Sequence, residues 1–434
     1  MVLLKWELKK IWRPGLLLAI ALIGLVFYDA RPGFYLEYFW DSSDWWGVQA
    51  QLSSGWLEAY GTTMEPEERA QLDGQLAELE AQFAQQVAEI PGAAEAGITD
   101  YESYLDWDAA HQNGLTEEEH QLGFAVYSNT NLNMVESLME FMENYDTLAE
   151  GEEPEIWGGR VGEYSPAHQP SIRRVEEVRA AGVFGFLPSA AINSADNFFH
   201  YFAIWCVFSA VLLLSPTLVR DQLRRTRAMQ WTSRRGRGVL NAQMGAALLS
   251  GVLLTLLNCA VYLGPFLATG ALRFWECSLI SVWNAEFPWF DWTYGQYLLI
   301  LLGLTFLLTL AASGFTVVLS QFSGSYVAML LKAIPLIFVL CWGIVPWIMA
   351  GAGLFSGRPV RLTGLPGTES VCAALSVLLA VVLCLLTLRR QKRVELYAAK
   401  KPRFTYEPGL APILNDICGL LGDRGKVFFP ILAK

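Results

Sequence analysis

Nucleotide hydrolysis needs a glycine-rich loop closing on Lys-Ser/Thr, because backbone N–H groups must wrap the phosphates. The nearest string is Gly422-Asp423-Arg424-Gly425-Lys426-Val427. It lacks the correctly placed first glycine and the hydroxyl, and reads as a turn in a basic tail. The four histidines, His111, His120, His168 and His200, stand at no metal-site spacing with one another or with a cysteine. None enters a Ser-His-Asp arrangement. The run Glu150-Gly151-Glu152-Glu153-Pro154-Glu155 reads as a solvated loop rather than a cation site. No catalytic, cofactor or metal constellation is expected in this chain, and so no enzyme. The seven cysteines read as small apolar fillers.

The most distinctive polar stretch is built for contact. Residues 219–237 read Val-Arg-Asp-Gln-Leu-Arg-Arg-Thr-Arg-Ala-Met-Gln-Trp-Thr-Ser-Arg-Arg-Gly-Arg. On a helix, Leu223, Arg227 and Gln230 share one face, while Ala228, Met229 and Trp231 crowd its end. Arg234, Arg235 and Arg237 then turn the chain back toward anionic headgroups. An ordinary positive-inside loop accounts for the charge. The apolar Met-Gln-Trp between two basic clusters exceeds what topology requires, and offers a plug for a partner's cleft.

The elements that must hold this stretch are membrane helices. Hydrophobic residues make up 53% of the 434 and charged ones 17%, against roughly 25% charged in soluble proteins. Six segments are apolar and long enough, or nearly so, for a ~30 Å hydrocarbon layer: 15–28, 198–218, 239–266, 297–321, 326–354 and 371–388. The first is short and needs Ile11 and Trp12 to extend it. It is expected to be a retained span rather than a signal peptide, since no small-x-small cleavage site follows Tyr28. The net charge of −11 averages two unlike parts. Residues 29–197 hold 32 acids and 6 bases, whereas the remainder holds 10 acids and 25 bases. No basic-aromatic stripe or zinc-finger spacing suggests nucleic acid.

Lys and Arg concentrate before the first span, between spans two and three, and after the sixth. By the positive-inside rule both termini are then cytoplasmic and the acidic module is outside. That module reads as mostly helical. Thr62-Thr63 before Pro66 starts a helix carrying Leu72, Leu76, Leu79, Phe83 and Val87, which Pro91-Gly92 ends. Thr116-x-x-Glu119 is a capping box leading into one apolar series from Phe124 to Met142. A third helix is expected over 172–183. No alternating strand is evident, and residues 35–190 are expected to fold alone. Within the six segments there is no Asp or Glu, and only Lys332 as an internal charge, which argues against proton- or sodium-coupled carriage. Asn241, Gln243 and Asn258 are expected to bond between helices. Trp275, Trp283, Trp289 and Trp292, between spans three and four, fit either an interfacial belt or a substrate-contacting aromatic gate.

With this layout the chain resembles the type-2 permease family of ATP-binding-cassette transporters. Leu3-Leu4-Lys5-Trp6-Glu7-Leu8-Lys9-Lys10-Ile11-Trp12 is similar to the family's interfacial elbow, and 221–237 to its coupling region with a Thr-Ser-x-x-Gly-Arg turn. Asp221 stands where that family carries Glu. The resemblance implies an all-α polytopic membrane protein: an elbow over 1–14, spans over 15–28, 198–218 and 239–388, an external domain over 29–197, a coupling segment over 219–238, and a basic cytoplasmic tail over 389–434. It also implies a plasma-membrane permease and exporter, with ATP and Mg bound by a separate cytoplasmic ATPase and a second permease copy or paralogue as partner. Asp221, Leu223, Arg224, Arg227, Met229, Gln230 and Trp231 would then contact the ATPase. A membrane sensor with an external ligand-binding module is the other reading left open.

Overall fold

The computed structural model describes residues 2–41, 44–111, 116–150, 180–223, 238–283, 290–354 and 357–393, with isolated positions between them. Among these, six helices are long and apolar enough to cross a membrane: Pro14–Trp40, Ser189–Pro216, Gly238–Ala268, Tyr294–Gln321, Tyr326–Met349 and Thr368–Lys392. They are spans 1 to 6 below. Helix α1 (Val2–Ile11) precedes them.

Span 1 runs further than its apolar stretch. The α-helix Pro14–Tyr28 passes through a π-helical turn, Asp29–Gly33, into a second α-helix, Phe34–Trp40. Pro32 cannot donate a backbone hydrogen bond, and the wider turn absorbs that gap without ending the helix. The aromatic continuation packs on span 2, with Tyr35 stacked on Tyr201 at 5.4 Å. Span 2 likewise starts earlier than its hydropathy suggests. Its helix, Ser189–Leu223, is the centre of the bundle, burying Ala190, Ala195, Phe198, Phe202, Cys206 and Ala210. Lys332 in span 5 snorkels as its position suggests: its Nζ donates to the Phe322 carbonyl at the C-cap of span 4, 2.7 Å away.

The acidic module stands between spans 1 and 2. It contains α2 (Trp45–Tyr60), α3 (Leu72–Val87), α4 (Tyr101–His111), α5 (Glu117–Asn129) and α6 (Leu132–Glu150). Thr116 and Glu119 form the expected capping box on α5. At the first expected start the cap is Glu65, whose N–H donates to Glu68 at 2.8 Å, because Thr63 is drawn into a strand. The apolar series from Phe124 to Met142 is two helices. The Thr130 hydroxyl donates to the Val126 carbonyl and accepts the Leu132 N–H, a local bonding pattern that competes with helix. Of the third expected helix, over 172–183, Arg173, Glu176, Glu177, Ala180 and Ala181 are helical, and 172, 174, 175, 178 and 179 lie outside the described residues.

Two short ladders run against the expectation of no strands. β1 (Thr63–Met64) pairs antiparallel with β4 (Phe184–Gly185), and β2 (Glu155–Ile156) with β3 (Gly159–Arg160). Two residues are too few to show a period of two, so only the approach of distant segments creates these pairs. The β1–β4 ladder also ties the module to the loop between spans 3 and 4: Gly185 bridges Ser281 and its carbonyl accepts the Val282 N–H at 2.9 Å.

That loop completes a core. Trp56, Met64, Leu72, Leu138, Phe141, Tyr145, Phe184 and Phe186 enclose Val282 and Trp283. A second cluster gathers Phe83, Val87, Tyr101, Trp107, Val126 and Val135. The first core therefore draws on residues outside 35–190, and that stretch is not self-contained.

The module's carboxylates set a pH dependence. Burial, with Asp108 nearby, holds Glu136 above the ordinary carboxylate range, and burial beside Glu143 does the same for Glu140. Hydrogen bonds from Thr116 hold Glu119 below that range, and those from Ser103 hold Asp100 below it. Raised groups oppose folding while charged, and that opposition is relieved as they protonate. Lowered groups support folding until pH falls through their folded values. Stability of α6, which carries Glu136 and Glu140, should rise as pH falls from 7 toward about 4.3, the ordinary Glu value, and level off there, while the support from Glu119 and Asp100 at the starts of α5 and α4 is lost below it. Hydrogen exchange of α6 amides across pH checks this; protection falling steadily from pH 7 would contradict it.

Candidate functional site

The spans alternate between two ends of the bundle. At one end α1 lies along the start of span 3, with Leu4 over Gly245, Ile11 buried, and the Trp12 indole N–H donating to Ser250 Oγ at 3.0 Å. Glu7 is buried there and paired with Lys10 at 2.8 Å. Trp6 faces outward with Lys9 over its ring at 5.8 Å, an amphipathic division suited to an interface.

The segment expected to contact an ATPase connects the helix ending at Leu223 to span 3 beginning at Gly238, at this same end. Asp221 and Leu223 continue the span 2 helix, their side chains outside the described residues. Arg224, Arg227, Met229, Gln230, Trp231, Arg234, Arg235 and Arg237 lie outside them altogether.

Between the ends, spans 1 to 4 meet through small and polar groups. Asn258 Nδ2 donates to Ser209 Oγ of span 2 at 3.2 Å, the interhelical role expected of it. The Tyr262 hydroxyl donates to the Gly24 carbonyl of span 1 at 2.6 Å. Gly251 of span 3 stands against Ser313 of span 4, so the two backbones approach closely. Thr305, Thr309, Ser313 and Thr316 are buried along span 4 and donate to carbonyls of their own helix.

At the module end the helices contain carboxylates that apolar windows alone miss. Asp196 lies in span 2, Glu369 in span 6, and Asp29 and Glu37 in span 1. The six apolar segments are free of carboxylates as read, and these four acids lie where the helices extend past them. Asp196 accepts the Gly351 N–H at 3.0 Å, and buried Glu369 accepts that of Gly353 at 3.4 Å. Two acids from different spans thus hold the turn that follows span 5. That accounts for both as structural acceptors.

The four tryptophans separate. Trp283 is a core residue: its indole N–H donates to Ser53 Oγ at 2.9 Å, and its ring lies 4.9 Å from Phe141 and 6.0 Å from Trp56. Trp275 is partly exposed and covers Gly295, while Trp292 stacks on Phe290 at 5.1 Å and crowds Gly353. Trp289 lies outside the described residues. The three described rings thus make different contacts, and Trp283 alone of them belongs to the module core. The core partnership of Trp283 has no local signal, since Ser53 and Phe141 are remote in sequence.

No group of three or more His, Cys, Asp or Glu side chains arranged to hold a metal occurs among the described residues. No protein family, curated protein or solved structure matches the chain.

Proposed function

We propose that the chain is the membrane-spanning permease subunit of an ABC transporter, an exporter working as a homodimer or heterodimer. A separate cytoplasmic ATPase binds ATP and Mg and drives it. One observation carries the reading: α1 and the chain ends of spans 2 and 3 converge at one end of the bundle, where the basic segment 224–237 must emerge. A partner pressing there would act on span 2, the most enclosed of the six helices, and so on the whole bundle. The charge distribution supports cytoplasmic termini in a plasma membrane, with the acidic module outside. Export, and a peptide, lipid-linked or drug-like cargo, rest on the family resemblance.

A second reading, a sensor whose module binds a ligand and signals inward, draws on the shared core. Val282 and Trp283 would carry strain from module to spans 3 and 4. Membrane pull-down separates the two. If Met229 and Trp231 plug a cleft on an ATPase, the double change Met229→Ala plus Trp231→Ala removes buried anchors worth ~2 kcal/mol or more. The ATPase should then be lost from purified membranes while insertion persists. Changing Arg234 and Arg235 to Glu should instead disturb lipid contact or topology. Full partner binding and ATP turnover in the Met–Trp variant would end the coupling reading.

A further inference from the structure

Helix α4 ends at His111, whose ring is held from two sides. Its Nδ1 lies 2.6 Å from the Trp107 carbonyl one turn back, and its Nε2 lies 3.3 Å from Glu119 Oε1 on α5. A carbonyl and a carboxylate only accept. A neutral imidazole has one N–H and satisfies one of them, whereas the imidazolium has two and satisfies both. The stack of His111 on Trp107, with 4.8 Å between ring centroids, fixes the ring in this pose. Trp107 is itself buried and lies over Gly123 of α5, where an added Cβ would stand 3.3 Å from the indole.

Glu119 is placed independently of the histidine. Its Oε2 accepts from the Thr116 N–H at 2.7 Å and from the Thr116 hydroxyl at 2.8 Å, which leaves Oε1 to face the ring. Those Thr116 bonds, and to a lesser degree His111, hold the carboxyl below its ordinary range. It therefore stays charged where histidines ordinarily titrate, at about 6.5. Asp108 lies one turn back on α4, with Glu136 of α6 and the Tyr104 phenol near it. Glu117, Glu118 and His120 flank Glu119 on α5, and Glu80 of α3 lies by Tyr101 at the far end of α4. Residues 101–129 contain no Lys or Arg. The acids and the carbonyl end of α4 favour the protonated ring, and His120 alone opposes it.

We propose that His111 and Glu119 form a pH-sensitive clasp, which closes the α4–α5 hairpin when the ring is protonated and releases it when the ring is neutral. Closure strengthens as pH falls through the histidine range and lasts until Glu119 is itself protonated, below the ordinary carboxylate range. On release, the end of α4 and the first turn of α5 keep only their own helix bonds and the contact of Trp107 with Gly123. With the acidic module outside, the clasp responds to external pH. It belongs to the hairpin and does not depend on the chain driving transport, so the two can fail separately.

Hydrogen exchange on the full-length protein in detergent, corrected for the intrinsic rate at each pH, reads opening of the hairpin. Between about pH 7.5 and about pH 5.5, amides at the end of α4 and the start of α5 should gain about threefold protection, the size an exposed ion pair carries. His111→Phe keeps a ring on Trp107 but cannot titrate. Glu119→Gln keeps the capping box, which accepts Gln as well as Glu, and removes the charge. Both variants should lose the pH response, while His120→Gln keeps it. Glu136 and Glu140 remain in every variant, so their effect on α6 cancels from the comparison. A flat profile in the wild type, the wild-type response in either folded variant, or its loss in His120→Gln overturns the proposal.

Discussion

Trp283→Ala is expected to destabilise the acidic module by about 3–5 kcal/mol, although the residue lies between spans 3 and 4. The reason is its position in the first core, enclosed by Trp56, Phe141 and Phe186 and bonded to Ser53. Removing the indole leaves a cavity and frees the Ser53 hydroxyl in a buried setting. Hydrogen exchange on the intact protein should show lost protection in α2 and α6, whose faces meet at that ring. Trp275→Ala, at a partly exposed ring, should change the same amides far less. Equal, small effects of both substitutions would mean that the loop only rests on the module.

Gly24→Leu is expected to cost about 3 kcal/mol, the upper part of the range for overpacking. A Cβ at Gly24 would stand 2.6 Å from the Trp205 ring and 2.8 Å from the Tyr262 hydroxyl. Neither neighbour yields easily: Trp205 is buried and stacked against Phe27 at 5.5 Å, and Tyr262 bonds the Gly24 carbonyl. Span 1 must therefore move off spans 2 and 3, breaking that bond. Gly15, about two and a half helical turns away, has no atom within 4 Å of an added Cβ, so Gly15→Leu is the matched control. Thermal unfolding in detergent should separate the two by many degrees. Coincident midpoints would show that span 1 is held by lipid rather than by this contact.

Composition and hydropathy along the chain were enough to expect six apolar helices, because a bilayer imposes a length and a polarity that each helix meets by itself. The capping box at Thr116–Glu119 and the buried face of Leu72, Phe83 and Val87 were legible for the same reason: bonds and periodicity within one helix need no distant partner. The snorkelling of Lys332 follows from its place near a helix end. Charge patterning reached as far as a proposed orientation.

What escaped the sequence depended on residues far apart in it. Helix ends moved outward at Ser189, Thr368 and Trp40; at the first two, acids inside the helix are satisfied by a loop that only the fold brings near, as Asp196 is by Gly351 and Glu369 by Gly353. The ladder of β1 with β4 exists because residues 63 and 185 are carried together by the helices between them. Trp283 looks like any interfacial tryptophan until the loop from 269 to 293 meets the module, and Ser53 and Phe141 then make it a core residue. Local bonds and the bilayer's demand for apolar length act on consecutive residues, so the chain itself announces them. Burial of a ring or pairing of a carboxylate depends on what lies within a few ångströms, and only the tertiary structure decided that.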